Sequence, residues 1–177
     1  LNYSALNFDI RLYTETEFNL KKLKKEKPKI LEAGRSCVDK NYRDGRIIRL
    51  LWRGLSEYIV QKNIDYIIGC ASFQGNNIEE VSERLSYLHH YHLAPKKIRS
   101  QPLKQKSIYY KIIPKKKIKQ FEVFKKLPPL IKAYLRVGSW IGKGAIIDKE
   151  FNTIDVCIIL KKENILSKYL NMSEKKS

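Results

Sequence analysis

The sequence predicts an α/β domain, and two stretches carry that prediction. Residues 30–73 read as a strand, a basic glycine-containing turn, an amphipathic helix and a second apolar strand. Residues 145–148 and 153–160, the latter TIDVCIIL, supply β-rich segments that close the fold. At 177 residues the chain has the size of one domain, large enough for a real core, and it shows no internal repeat and no domain boundary over 1–177.

In chain order, residues 1–20 are irregular, with weak alternation around Phe8, Ile10 and Leu12, and residues 13–18 (YTETEF) resemble a loop leading into a helical turn. KKLKKEKP, residues 21–28, is a solvated charge run. Residues 30–38 form the first convincing strand, where Ile30, Cys37 and Val38 are apolar and Glu32 and Arg35 interrupt. The helix over 47–61 places Ile47, Ile48, Leu50, Leu51, Leu55, Tyr58 and Ile59 at helical spacing. Residues 65–73 are almost continuously apolar, as in a strand covered on both faces. Strand, helix and strand at this spacing make a βαβ-like crossover. A second helix is expected over 79–91, a strand over 107–113, a loop and short helix over 114–124, and a proline-started helix over 130–137. Gly138, Gly142 and Gly144 read as a flexible connector, and residues 161–177 as a polar helix or tail.

Composition narrows the function classes. The formal charge of +18, from 36 Lys and Arg against 18 Asp and Glu, attracts acidic partners such as nucleic acid, anionic lipid or acidic protein, or reflects a lysine-rich proteome. No apolar run approaches the ~20 residues of a membrane span, and the start lacks the pattern of a signal peptide. The chain begins with Leu rather than Met, which suits a fragment. Cys37, Cys70 and Cys157 are an odd, widely spaced set in predicted strands, and they read as buried reduced thiols of a cytosolic protein. The basic residues are scattered and match no nucleic-acid-binding motif.

Four groups of residues carry candidate chemistry. The turn Tyr42-Arg43-Asp44-Gly45-Arg46 precedes a helix, whose N-terminal N–H groups suit phosphate; an ordinary basic loop is the alternative. Glu32 and Arg35 flank Ala33 and Gly34; three positions apart they face opposite ways in a regular strand, and a bulge at Gly34 would let them converge. They read either as a site or as a buried pair. His89, His90 and His92 have poor spacing for one tetrahedral metal site and suit the end of a helix, so no metal ligands are assigned. Asp148 and Asp155 interrupt the apolar closing segment, either to hold a cationic amine or to form strand-end turns.

The blocks EAGRSCVDKNYRDGRIIRLLWRGLSEYIVQKNIDYIIGCASF, SYLHHYHLAP and LPPLIKAYLRVGSWIGKGAIIDKEFNTIDVCIIL strongly resemble the ornithine N-acyltransferase family, which is GNAT-like, sometimes labelled hemolysin-like, and serves bacterial ornithine-lipid synthesis. The resemblance runs from Tyr13 to Tyr169, and Glu32-x-x-Arg35 also looks like the motif of acyl-homoserine-lactone synthases. It implies an α/β (α+β) GNAT-like acyl-CoA N-acyltransferase fold with a mixed central sheet, whose two central parallel strands, here 30–38 and 65–73, splay around a pantetheine arm. It implies transfer of a 3-hydroxyacyl group from acyl carrier protein to the α-amine of L-ornithine, with no bound cofactor beyond the acyl-phosphopantetheine co-substrate. Glu32 and Arg35 become the catalytic pair, with Glu32 the candidate base. Cys37, Val38, Tyr42, Arg43, Asp44, Gly45 and Arg46 become the donor site, and Asp148 and Asp155 the acceptor site. The implied location is cytoplasmic, with peripheral contact at the inner membrane, and nucleic acid is not an expected partner. Family members carry a substantial region before YTETEF, contributing the first strands and helices. Only twelve residues precede it here, which points to an incomplete N-terminus and to a separately encoded N-terminal part as a partner. A catalytically degenerate remnant that binds acyl carrier protein or a partner, and a basic nucleic-acid-binding protein, are the alternatives.

Overall fold

The computed structural model describes residues 2–3, 11–34, 39–42 and 46–165. Strand β3 (Ile30–Glu32) runs parallel to β4 (Tyr66–Gln74), with Ile30 opposite Tyr66 and Glu32 opposite Ile68. The chain between them passes through helix α2 (Arg46–Gln61), so the expected strand–helix–strand crossover is present. Along its whole length β4 pairs antiparallel with β8 (Thr153–Lys161), Tyr66 opposite Lys161 and Gln74 opposite Thr153. β1 (Asn2–Tyr3) adds antiparallel to β3, while β6 (Trp140–Ile141) and β7 (Ile146–Asp148) add antiparallel to β8. The result is a mixed six-stranded sheet. β2 (Phe18–Asn19) and β5 (Gln101–Pro102) form a separate antiparallel pair.

Both faces of the central strands are covered, which is why their sequences read as unbroken apolar runs. On one face Leu31, Ile67, Phe73, Val156, Ile158 and Leu160 pack with Trp52 and Ile59 of α2. Val81, Leu85 and Leu88 of α3 (Ile78–Tyr91) and Ile131 and Leu135 of α5 (Pro129–Arg136) complete this layer. On the opposite face Ile30, Ile68, Cys157 and Ile159 pack under Leu12, Phe18, Leu20 and Leu23. Each such side chain, when fully buried, stabilises the fold by about 1.5–3 kcal/mol. The second layer comes from the irregular N-terminal segment and from α1 (Lys21–Lys24), where Leu23 is buried within the lysine-rich run.

Alternation then decides where the polar residues go. Side chains two apart share a face, so Glu32, Cys70, Ser72, Thr153 and Asp155 project to the side covered by residues 11–20, away from the helices.

The structure departs from the sequence-based expectations in three places. Residues 107–113 form no strand; they make a single bridge between Ser107 and Ile146. Ile108, Tyr110 and Ile113 pack on the core and Tyr109 faces solvent, so alternation arises without a sheet. The Ile113 N–H donates to Ser86 Oγ of α3 rather than to a strand. The expected glycine connector contains β6, held between turns at Gly138 and Gly144, whose φ values are +86° and +80°. In α2 the buried stripe runs through Trp52, Leu55 and Ile59, whereas Leu50 and Leu51 are exposed. Phe8, Ile10 and the later part of the strand expected over 30–38 lie outside the described residues.

Candidate active site

The site begins where β3 leaves β4. The Ala33 N–H donates to Ile68 O at 2.8 Å, and beyond it the described residues give β4 no partner on that side, whereas β8 continues along the other to Gln74. Gly69 marks the closest approach. A Cβ there would lie 2.5 Å from Ala33 O, so this position accepts only glycine without a shift of backbone. Past this point lies a cavity of about 530 Å³, bounded by Glu32 and Gly34 on the β3 side and by Asp148, Thr153 and Asp155 across from them.

Glu32 is 4% exposed, and its carboxylate is committed. Oε1 accepts from the Thr14 N–H and from Thr14 Oγ1, both at 2.6 Å, and Oε2 accepts from the Tyr13 N–H at 2.9 Å. The strand carboxylate thus fastens the 3-10 turn Tyr13–Thr16 over the sheet. Arg35, the other member of the expected pair, lies outside the described residues.

That turn delivers a residue the sequence did not single out. Glu17, 1% exposed, accepts from the Cys70 thiol at Oε2 (3.0 Å) and from the Tyr13 hydroxyl at Oε1 (3.3 Å). Tyr13 Oη also lies 3.4 Å from Asp148 Oδ2. Asp148 Oδ1 accepts from the N–H groups of Glu150 and Phe151, so Asp148 does form the turn expected at a strand end, while its other oxygen faces the site. Asp155 sits opposite Ser72 in the β4–β8 ladder and is 5% exposed. Its Oδ1 and the Thr153 hydroxyl are buried with no hydrogen-bond partner among the described residues. One carboxylate oxygen from each of Glu17, Asp148 and Asp155 lies within 4.8 Å of the other two.

Burial holds the Glu17 carboxyl above its ordinary range; the Cys70 hydrogen bond opposes this, and the charge of Asp155 adds to it. Burial likewise raises Asp155; the neighbouring Thr153 and Ser72 hydroxyls oppose this, and Asp148 adds to the rise. Burial raises the Tyr13 hydroxyl, and the Glu17, Asp148 and Cys70 charges push it further. The Cys70 thiol is raised by burial and by Glu17, and Cys157, directly across the ladder, is pushed up to about 12 by burial. Both thiols are therefore protonated near neutrality, as expected of reduced cysteines, though Cys70 is a cavity-wall residue rather than plain core.

A stability consequence follows for Glu17 and Asp155. The folded state keeps their protons to higher pH than the unfolded chain does, so their contribution is fully present below the ordinary carboxylate pKa and is lost as pH rises through the raised folded values. The groups facing them are Tyr13, Cys70, Asp148 and, more weakly, Lys106. Urea midpoints of the ligand-free protein, followed from pH 4 upward, should fall more steeply for the wild type than for a Glu17→Gln/Asp155→Asn double variant. Parallel profiles would contradict the raised values.

The remaining expected residues divide cleanly. Tyr42, in a 3-10 turn, and Arg46, at the start of α2, are both exposed. Cys37, Val38, Arg43, Asp44 and Gly45 lie outside the described residues. His90 Nε2 is 2.8 Å from Ile113 O and ties α3 to the 107–113 segment, while His92 Nε2, 3.1 Å from the Tyr87 hydroxyl, folds back on the end of its own helix.

Comparison with known proteins gives the arrangement a context. An acetyltransferase (GNAT) domain model matches residues 3–53. An L-ornithine N(alpha)-acyltransferase of Rhodobacter capsulatus is 34% identical over 159 residues, 90% of this chain and 61% of the relative. Those of Brucella abortus and Agrobacterium fabrum are 39% and 36% identical, again over 90% of this chain and over 57% and 55% of the relatives. Over nine-tenths of its length the chain is similar to these L-ornithine N(alpha)-acyltransferases. Its mixed sheet with a parallel β3–β4 pair is a GNAT-type α/β fold, in keeping with the acetyltransferase (GNAT) domain match. The chain spans between about half and three-fifths of the length of these curated relatives. No solved structure matches it. Among the described residues no helix is long and apolar enough to cross a membrane.

Proposed function

We propose that this chain carries the transfer centre of an L-ornithine N(alpha)-acyltransferase, moving a 3-hydroxyacyl group from the phosphopantetheine thioester of acyl carrier protein to the α-amine of L-ornithine and yielding a lyso-ornithine lipid. The observation that carries this reading is the acid-lined cavity at the parting of β3 and β4, in a chain whose likeness to the ornithine acyltransferases covers nine-tenths of its length. The amine nitrogen bonds to the thioester carbon, the C–S bond breaks, and the pantetheine sulfur leaves as a thiol with the proton that the amine gives up. An ammonium must lose a proton before it attacks, and Glu32, on the cavity wall, accepts that proton through a water, since its own oxygens already serve Tyr13 and Thr14. Backbone N–H groups near Cys37 and Val38 are the candidates to stabilise the developing oxyanion. The segment Tyr42, Arg43, Asp44, Gly45 and Arg46 takes the donor phosphate at the N-terminus of α2, and Arg35 stays with Glu32 as the catalytic pair. Asp148 and Asp155 take the acceptor. Acyl carrier protein is acidic, and the +18 charge favours its approach. The work is done on the cytoplasmic side, where an amphiphilic product passes to the inner-membrane surface.

The test is a transfer assay with purified protein, 3-hydroxyacyl carrier protein and ornithine. Glu32→Gln should lower kcat by about 100-fold or more with the fold retained. Full activity in that variant would take Glu32 out of the role. Arg43→Ala and Arg46→Ala should raise the KM for acyl carrier protein several-fold at low salt, and an unchanged KM would count against phosphate binding there. Tight binding of acyl carrier protein without transfer would favour the remnant that only binds it.

A further inference from the structure

We propose that the lysine-rich segment 95–129 presents a docking surface for an anionic phospholipid bilayer, with Tyr109 and Ile112 as the side chains that enter it. The inference deepens the acyl-transfer reading and rests on it only for the purpose of the contact, which is the release of an amphiphilic product.

The charge of the chain is unevenly placed. Of its 36 Lys and Arg and 18 Asp and Glu, residues 95–129 hold twelve and one, a net +11 of the chain's +18. The rest of the chain carries 24 against 17 and is close to balance by comparison. A lysine-rich composition alone would not clear the acids from one stretch. Lys104, Lys111, Lys115, Lys116, Lys117 and Lys119 are exposed, and no ion pair among the described residues engages them.

Apolar side chains stand among these cations. An open groove of about 480 Å³ is lined by Ile108, Tyr109, Tyr110 and Ile112 together with Lys104 and Lys143. Ile108 and Tyr110 pack inward on the core, while Tyr109 and Ile112 are 90% and 40% exposed. The segment is fastened on both sides of them, by the Ser107–Ile146 bridge and by the Ile113 N–H on Ser86 Oγ. On the groove wall His89 is held below its usual pKa by burial, and the charges of His90, Arg99 and Lys143 push it further down. Exposed apolar side chains within a cationic field mark an interaction surface. Tyrosine suits the boundary of water and hydrocarbon, and each lysine beside an anionic leaflet strengthens binding about 5-fold.

Three observations favour lipid over other acidic partners. Eleven of the twelve cations are lysines, and the one arginine, Arg99, donates to Ala94 O. Lysine is a flexible point charge that suits a diffuse anionic surface, whereas phosphates read one by one favour the planar fork of arginine. The acidic donor protein is placed by its phosphate at the N-terminus of α2, a different element. Ser107 and Ile108 also line a neighbouring groove of about 410 Å³ that reaches Asp148, a wall residue of the transfer cavity. An acyl product leaving along this edge meets the bilayer directly.

Flotation of the purified protein with phosphatidylcholine vesicles, with and without about one-third phosphatidylglycerol, tests the surface. Binding to the anionic vesicles should be at least about 100-fold tighter than to the neutral ones and should weaken as salt rises. A Lys115→Gln/Lys116→Gln/Lys117→Gln variant should lose about 100-fold, and Tyr109→Ser/Ile112→Ser about 10-fold. A matched Lys21→Gln/Lys22→Gln/Lys25→Gln variant, on α1, should lose less than about 3-fold. All these side chains are exposed, so circular dichroism should show the fold retained. Equal losses for the two lysine triples would mean that net charge alone attracts lipid and would overturn the surface, as would equal binding to the two kinds of vesicle. Weakened acyl carrier protein binding in the Lys115–Lys117 triple with vesicle binding intact would give the patch to the donor protein instead, and tighter binding of a DNA duplex than of anionic vesicles would give it to nucleic acid. Transfer to ornithine in vesicle-free solution should be unchanged in that triple. Vesicle binding without any transfer by the wild type defeats the acyltransferase reading alone, and transfer without vesicle binding defeats the docking surface alone.

Discussion

Glu32→Ala should destabilise the protein by about 3–6 kcal/mol, read as a lowered urea midpoint. The substitution strips the acceptor from the N–H groups of Tyr13 and Thr14 and from the Thr14 hydroxyl. Thr14 is fully buried, so its donors cannot turn to water. Each orphaned buried donor costs about 1–3 kcal/mol, a large part of the roughly 5–15 kcal/mol that stabilises a typical domain. Glu32→Gln should cost less, about 1–3 kcal/mol, because an amide oxygen at the Oε1 position still serves both Thr14 donors. Equal losses for the two variants would show that the Thr14 contacts carry little. The effect reaches the site as well as the fold. The fastened turn carries Tyr13 and, beyond it, Glu17, so loosening it scatters the acid cluster along with the turn.

Gly69→Ala should cost about 3 kcal/mol, and the glycine-to-alanine change at Gly54 should do the reverse. At Gly69 the new methyl lies 2.5 Å from Ala33 O and 3.5 Å from Ala33 C, both backbone atoms that no rotamer change can move. Relief requires β3 to retreat from β4, with loss of the Ala33–Ile68 hydrogen bond. Overpacking of this kind costs about 1–3 kcal/mol, at the upper end where backbone must yield. Gly54, on an exposed stretch of α2, has nothing within 4 Å, and alanine there should stabilise by up to about 1 kcal/mol through helix propensity. Paired denaturation curves check both signs. Because Gly69 and Gly34 also border the cavity, Gly69→Ala should depress acyl transfer beyond what its stability loss explains. A variant as stable and as active as wild type would remove close approach as the reason for glycine.

Periodicity, composition and residue type determined much of this. The apolar stretches at 65–73 and 153–160 became β4 and β8 within a residue or so, because a strand covered on both faces has one solution. The helices at 47–61 and 79–91 appeared where their spacing put them. Asp148 and Asp155, singled out because carboxylates interrupt an apolar segment, stand together in one cavity wall. The apolar stretch 107–113 reads as a strand, but its apolar side chains pack on the core from an irregular segment with a single bridge. Helical spacing also ran ahead of burial in α2, whose Leu50 and Leu51 face solvent while Trp52 is buried.

Only the tertiary structure decided the partners. Glu17 lies in a short irregular segment with no period to read, and its proximity to residues more than a hundred positions away exists only once the 3-10 turn is laid over the sheet. Glu32 takes its donors from Tyr13 and Thr14, which no spacing along the chain announces, because strand geometry points it onto the sheet face that residues 11–20 cover. The sequence by itself determined which residues were polar inside an apolar sheet. The fold determined which of them meet, since burial forces each one to find a donor, a neighbour of opposite charge or a ligand.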